Sequence, residues 1–499
     1  MQRVWVRELA GWCGALAVAL IAVAQVASSP RAELLFRDAD SLVVALFSQS
    51  VASGEPLDWA MSSVLFVPES ALFIVLAAVF PFELNGLLVL SAIVNLLMLY
   101  GAVRVAAGRQ RTDMAPVAWS LIAVATFGVL AMTDVSESRD AFDLASLYLT
   151  TTYYSATVVA TVLTVGIARR VIDRPAGGSA LLVALGITAI VSTLSNPLYA
   201  AWATAPLSLV LGILIIGSRD RIRVAMLIMV LLAGTVFGLL ARIPFQAWIA
   251  NTGVGYPEPS QWMQSLEYYG GLVLARLSTP AGVVGGLLAL VLLSLAILMA
   301  ARTRDAGSRF IAQVAWIIPV LVMIGAIALG THAARYLQPL LFAPMLALVA
   351  MPRAWPMPSR VRSTIVGGAA VLLTVLGGLS VPRLITAAES PDPDLACVTE
   401  WVDASDRTGA GQFWSVRLPK LHSGDAARLV QVDHELNGYA WLVNRHDFDV
   451  GEVSFLIEDA QTVPWSLPVP ITPEEVVTCG RYRILDFGDA SLPLGPARS

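Results

Sequence analysis

The chain has 499 residues, 57% of them hydrophobic and only 14% charged, with a formal net charge of −4 and a mean hydropathy of +0.72. Long unbroken apolar runs exclude a soluble globular domain and a porin-like barrel, because lipid admits only helices or closed barrels and barrel strands alternate polar with apolar. With no basic tail, nothing in the charge balance points to nucleic acid.

In chain order the sequence predicts eleven spanning helices, near 9–27, 84–106, 115–132, 145–168, 179–195, 198–216, 224–241, 280–300, 310–330, 337–351 and 364–385. The first follows a charged start, "MQRVWVRE", and carries "AVA" before Gln25. It reads as a retained anchor rather than a cleaved signal peptide. Cys13, inside it, reads as an inert core thiol. A loop over 28–83 follows. It opens with "LLFRDADSLV" (34–43), which places Arg37, Asp38 and Asp40 together at the start of an amphipathic stretch. The run "ALFIVLAAVFPF" (71–82) is too short to cross comfortably, and Pro68 and Pro81 flank it.

Arginine placement decides whether 71–82 crosses. If it stays at the surface, the N-terminus and the connections at 104–111, 169–174, 219–223, 302–309 and 353–362 share one face and hold 17 Arg, against 7 in the opposite loops. A crossing there would flip every later loop and erase the asymmetry. The positive-inside rule therefore predicts a membrane-surface helix at 71–82, a cytoplasmic N-terminus and an extracytoplasmic segment 386–499. That segment changes composition. Short runs such as "GQFWSVRLP", "RLVQVDH", "GYAWLVN", "VSFLIED" and "RYRILDF" alternate with Gly, Asn and Asp, predicting a small mixed α/β, β-rich domain. Outside the cytoplasm its cysteines, Cys397 and Cys479, can pair. Lys420 is the single lysine; the other 31 basic residues are Arg, which reads as nucleotide-composition bias.

Chemistry belongs in the outer loops. Asp38 and Asp40 fit two roles: N-caps of the helix that follows, or a general base for an acceptor hydroxyl. In "THAARY" (331–336), His332 and Arg335 can hold a phosphate or anchor the chain at the headgroups. The loop 242–279 begins at Arg242 and is rich in Trp and Tyr, as interfaces are and as sugar-binding surfaces are. The acidic loop 133–144 reads as a solvated connection. His422, His434 and His446 lack metal-ligand spacing. No cofactor is indicated, and a divalent metal is left open.

Taken together, "FRDADSLV" after the first helix, "FVPES" (66–70) before the short apolar helix, and "HAARYLQPLLFAPMLALVA" (332–350) resemble the GT-C superfamily of bacterial membrane glycosyltransferases. The last two are similar to that family's "F-F-P-D" and "H-x-R-Y-L-x-P" segments. The resemblance covers most of 1–385 and implies a GT-C-like transmembrane domain there, with 386–499 as a separate domain. It implies transfer of a sugar from a polyprenyl-phosphate donor to an acceptor at the outer face, with membrane lipid as the other partner. Asp38 or Asp40 would then be the base, while Glu69, His332, Arg335 and Arg242 would serve substrate binding. Arg37 departs from the pattern, which often has an aromatic beside the acid. Two other classes stay open: a non-catalytic envelope scaffold or glycan-binding protein, and a lipid-linked sugar transporter. A transporter would call for intramembrane charge pairs and repeats, which the sequence lacks.

Overall fold

The computed structural model describes residues 2–498 except 111–112, 175–177 and 218–219. Arg111 and Arg219, two of the arginines counted above, lie outside the described residues. The helices are α1 (Gln2–Ala27), α2 (Ala32–Phe36), α3 (Val43–Ser53), α4 (Val67–Val79), α5 (Leu84–Ala106), α6 (Pro116–Met132), α7 (Ser155–Ile172), α8 (Ser179–Ser195) and α9 (Ala205–Gly217). They continue with α10 (Arg221–Leu240), α11 (Trp262–Leu277), α12 (Pro280–Arg302), α13 (Ala306–Ala328), α14 (Pro339–Phe342), α15 (Ala347–Ala350), α16 (Ser359–Ala388), α17 (Pro393–Ser405) and α18 (Phe413–His422). Seven of these, α1, α5, α7, α10, α12, α13 and α16, are long and apolar enough to cross a membrane. The chain is a candidate multi-pass membrane protein. The other four expected spans correspond to shorter apolar helical stretches, at 116–132, 179–195, 200–216 and 334–350.

Two compact units emerge, each from non-contiguous segments. One comprises 1–35, 86–243 and 255–388; the other 36–85, 244–254 and 389–499. Most of the 28–83 loop groups with the C-terminal segment rather than with the helical bundle.

In the helical unit, α8 and α10 approach closely because α10 presents Gly234 and Gly238. A Cβ at Gly238 would stand 2.7 Å from the Ile190 carbonyl, so only small residues allow this contact. Arg169, 3% exposed at the end of α7, donates to the carbonyls of Ala106 (2.7 Å), Val349 (2.8 Å) and Ala350 (3.2 Å). A cation thus caps the C-terminal ends of α5 and α15 at once.

Four expectations for this unit are corrected. The span read at 145–168 begins only at Ser155. Residues 146–154 form a 3-10 turn and irregular chain, fully buried, because the run "TTTYY" is β-branched and aromatic and so a poor helix former. Asn95 and Gln338 satisfy its backbone: Asn95 Nδ2 donates to the Tyr148 carbonyl (3.4 Å) and Gln338 Nε2 to that of Tyr153 (2.9 Å). The span read at 337–351 is broken into short turns by Pro339 and Pro344. The stretch read as the loop 242–279 contains the sixteen-residue helix α11. Cys13 is exposed on the outward face of α1 rather than a core thiol.

The acidic loop 133–144 is not a solvated connection either. Asp134 and Asp143 are 1% and 4% exposed, and both pair with Arg276, Asp134 at 2.7 Å. Asp143 Oδ2 accepts from the backbone N–H of Val135 and Ser136 at 3.0 and 2.7 Å. Arg31 closes the network, donating to Ser146 Oγ (2.8 Å) and to the carbonyls of Ser136, Ser138 and Asp143. Burial at this density requires that every charge be paired.

The second unit is built on a seven-stranded mixed sheet. Its strands are β2 (Gly409–Gln412), β3 (Leu429–Val432), β4 (Asn437–Tyr439), β7 (Phe455–Glu458), β8 (Glu475–Cys479), β9 (Tyr482–Asp486) and β11 (Gly495–Arg498), in the order β11-β4-β3-β2-β7-β9-β8. Short pairs join β1 (Trp59–Ala60) to β5 (Val443–Asn444) and β6 (Glu452–Val453) to β10 (Leu492–Pro493). β2 runs parallel to both β3 and β7, with α18 as the β2–β3 crossover. Period-two alternation divides the core. Leu429, Phe455 and Ile457 face α17 and α18 with Val398, Val402 and Val416, while Ala410, Val430 and Leu456 face the opposite side. Gly409 is required here, since a Cβ would lie 2.1 Å from the Phe455 ring. The Cys397–Cys479 disulfide is formed, with Cα atoms 5.5 Å apart, tying α17 to β8.

The expected mixed, β-rich domain is therefore present with more helix than the strand-like runs suggested. In "GQFWSVRLP" the strand ends at Gln412 and the rest is α18. The short apolar helix expected at 71–82 is α4, beginning four residues earlier with Pro68 in its first turn and ending before Pro81.

Candidate functional site

The predicted site residues divide between the two units: Asp38, Asp40 and Glu69 in the second, Arg242, His332 and Arg335 in the first.

In the second unit the acidic pair does not cap a helix. α3 starts at Val43, with Leu42 at the N-cap and no side-chain cap. Asp38 is buried and accepts from Ser41, at 3.2 Å from its N–H and 3.4 Å from its Oγ, closing a local turn. Asp40 is half-buried, and among the described residues it takes part in no side-chain hydrogen bond. Its charged neighbour is Arg417, on α18. The Asp40, Asp38 and Asp447 carboxylates hold the Arg417 guanidinium up against burial, which dominates and brings it down to about 10, still cationic at neutral pH. Tyr439, on β4, is raised above its ordinary value by burial and by Asp40.

Arg417 is 1% exposed. Its Nη1 donates to the Leu442 carbonyl at 2.8 Å and approaches Gln431 Oε1 at 3.5 Å, and its guanidinium lies 4.7 Å from the centre of the Phe413 ring. Leu442 has φ 54, a left-handed conformation costly for a branched side chain, and this turns its carbonyl toward Arg417. Among the described residues, Nε and Nη2 of Arg417 have no hydrogen-bond partner. One turn on, Lys420 is fully engaged with Asp447 (3.0 Å) and with the carbonyls of Ala426 and Leu429. Glu69 is buried in the first turn of α4, where the helix dipole favours a carboxylate. Arg37 joins Arg481 in clamping Asp392, at 3.1 Å from Arg37 and 2.7–2.9 Å from Arg481. Burial pushes the Asp392 carboxyl up, but the Arg481 and Leu395 hydrogen bonds and both guanidinium charges outweigh it and hold it below the usual range.

In the helical unit, His332 is exposed, with its ring 5.5 Å from that of Tyr268. It precedes the 3-10 turn Ala334–Leu337, so it does not share a helical turn with Arg335. Arg335 lies over the Tyr336 ring at 5.9 Å. Three irregular backbones meet here: that turn, the left-handed Tyr154 (φ 68), and a π-helical turn at Ala200–Thr204. Tyr154 packs against both Trp202 and Tyr336, and Trp202 Nε1 donates to the Tyr336 carbonyl at 3.1 Å. Single π-turns and left-handed bulky residues collect at functional sites. Arg242 is buried and donates to the Leu194 carbonyl at 2.7 Å, capping the end of α8.

Sequence reasoning missed Arg417, Tyr439, Leu442 and Lys420. A signal was present: the one lysine of the chain sits three residues after an arginine in "WSVRLPKLH", an otherwise apolar run. Among the described residues, no group of three or more His, Cys, Asp or Glu gathers as a metal centre. No protein-family model and no curated protein matches the chain.

Proposed function

We propose that this protein is a membrane glycosyltransferase that moves a sugar from a polyprenyl-phosphate donor to an acceptor hydroxyl at the outer face of the membrane. The observation that carries this reading is Asp40. It is a half-buried carboxylate on a packed loop, without a side-chain hydrogen bond among the described residues, and it acts electrostatically on a buried guanidinium. Asp40 takes the proton of the acceptor hydroxyl. The acceptor oxygen attacks the anomeric carbon as the bond to the phosphate oxygen breaks, and polyprenyl phosphate departs with the bonding pair. Asp38, tied into its turn by Ser41, positions the loop. The resemblance assigns His332 and Arg335 to the donor phosphate, where a guanidinium stabilises developing charge. Arginine asymmetry and the disulfide both favour an outer C-terminal segment.

The test is transfer from radiolabelled polyprenyl-phosphate sugars in membranes carrying wild type, Asp38→Asn, Asp40→Asn or both. Asp40→Asn abolishes transfer with the protein still folded, and Asp38→Asn reduces it. Full activity in the double variant overturns the reading.

A further inference from the structure

Arg417 lines a narrow, partly open cleft within the second unit, with about 20 Å3 of space between its walls. α3 supplies one wall, with Gln49, and β1 adds Trp59; α18 and β3 supply the other. Four of its side chains carry buried polar atoms without a hydrogen-bond partner among the described residues: Nε and Nη2 of Arg417, Nε1 of Trp59, Oε1 of Gln49 and Oδ2 of Asp447, the last ion-paired with Lys420 at 3.0 Å. Arg417 and Trp59 are 1% and 3% exposed, so their bare N–H groups are held away from bulk water. Such groups are costly to bury alone, about 1–3 kcal/mol each.

The chemistry of the Arg417, Trp59 and Gln49 atoms is specific. Nε and Nη2 form one edge of a guanidinium, whose parallel N–H bonds match two oxygens of a single planar anion. The indole N–H is a further donor, and the Gln49 oxygen is an acceptor that needs an O–H or N–H. The complement of this set is a carboxylate carrying a nearby hydroxyl. Charge narrows the choice. Lys420 and Asp447 neutralise each other at 3.0 Å, Glu55, bound to Ser50 Oγ at 2.7 Å, lines the cleft, and the Asp40 and Asp38 carboxylates act on Arg417 as well. A monoanion is tolerated there better than a phosphate dianion.

We infer that the cleft beside Arg417 binds the carboxylate and an adjacent hydroxyl of a hydroxy acid of the sugar-acid class, such as a uronate. The carboxylate meets the Arg417 edge, Trp59 donates to one of its oxygens, the hydroxyl donates to Gln49, and the remaining sugar ring projects into the mouth. Nothing in this depends on sugar transfer: it is a binding statement about one unit, read without any donor present.

The experiment follows intrinsic tryptophan fluorescence and thermal stability of the full-length, detergent-solubilised protein titrated with glucuronate, glucose, acetate and inorganic phosphate. Saturable binding of glucuronate is expected, with acetate about three- to tenfold weaker for want of the hydroxyl. Glucose, without a carboxylate, is expected not to bind. Arg417→Gln weakens glucuronate by about tenfold or more. Gln49→Leu, on the more exposed wall, brings glucuronate down to the level of acetate and leaves acetate unchanged, which a merely unfolded variant would not do. Equal binding of glucose and glucuronate, tighter binding of phosphate, no saturable response, or indifference to Gln49→Leu overturns the inference.

Discussion

The two units treat buried charge in opposite ways. In the helical unit, Arg31, Asp134, Asp143 and Arg276 form a closed network, and Arg169 is ringed by carbonyls and a hydroxyl. In the other unit Arg417 is as deeply buried as these, yet two of its nitrogens face no protein acceptor among the described residues. A closed network fixes loops and helix ends; an open one leaves recognition capacity. Burial alone does not tell these charges apart, whereas the completeness of the hydrogen-bond shell does.

The largest effect that can sharpen this contrast lies in the disulfide. Opening Cys397–Cys479, by Cys479→Ser or by reductant, releases an 82-residue closure and costs about 4–5 kcal/mol in the chain-entropy model. Limited proteolysis should then cut within 389–499 while the helical unit persists; equal loss of both units would break the division. Next come the two arginines. Arg276→Met leaves Asp134 and Asp143 buried without their cation and should cost about 3–5 kcal/mol. Arg417→Met removes two N–H groups that lack partners along with the hydrogen bond to the Leu442 carbonyl, and should cost less than the Arg276 change, about 1–2 kcal/mol. Thermal melting compares them directly, and a similar drop in both would contradict the closed-versus-open distinction. The smallest effect concerns acid. Because the folded Asp392 carboxyl lies below its unfolded value, its contribution is present above about pH 4 and lost as pH falls through the depressed value. Asp392→Asn should therefore lower stability at neutral pH and flatten the loss of stability below about pH 4, in acid titrations followed by tryptophan fluorescence.

Much of the architecture was legible in the sequence because lipid imposes length and apolarity together. All seven long helices coincide with expected spans to within a few residues at most ends. What failed was local. The Thr-Thr-Thr-Tyr-Tyr run at 150–154 is apolar enough for a span but poor in helix formers. Hydropathy windows could not see the breaks at Pro339 and Pro344, nor the amphipathic helix α11 behind its aromatic residues. In the C-terminal segment "FWSVRLPKLH" looks strand-like, yet it folds as the crossover helix a parallel β2–β3 pair needs. The acidic cluster at 38–40 stood out by composition. Arg417, on which both carboxylates act electrostatically, did not, because it lies nearly 380 residues away in the chain. Arg242, expected to bind substrate, is engaged by the Leu194 carbonyl, a use that composition could not reveal.

The pairing of β1 with β5 also constrains how this chain is made. Trp59 and Ala60 leave the ribosome about 380 residues before Val443 and Asn444. At roughly 5–20 residues per second, that strand waits from about twenty seconds to over a minute for its partner. A two-residue strand offers little edge for mispairing meanwhile, so the brevity of β1 suits a segment that must stay open until translation is nearly complete.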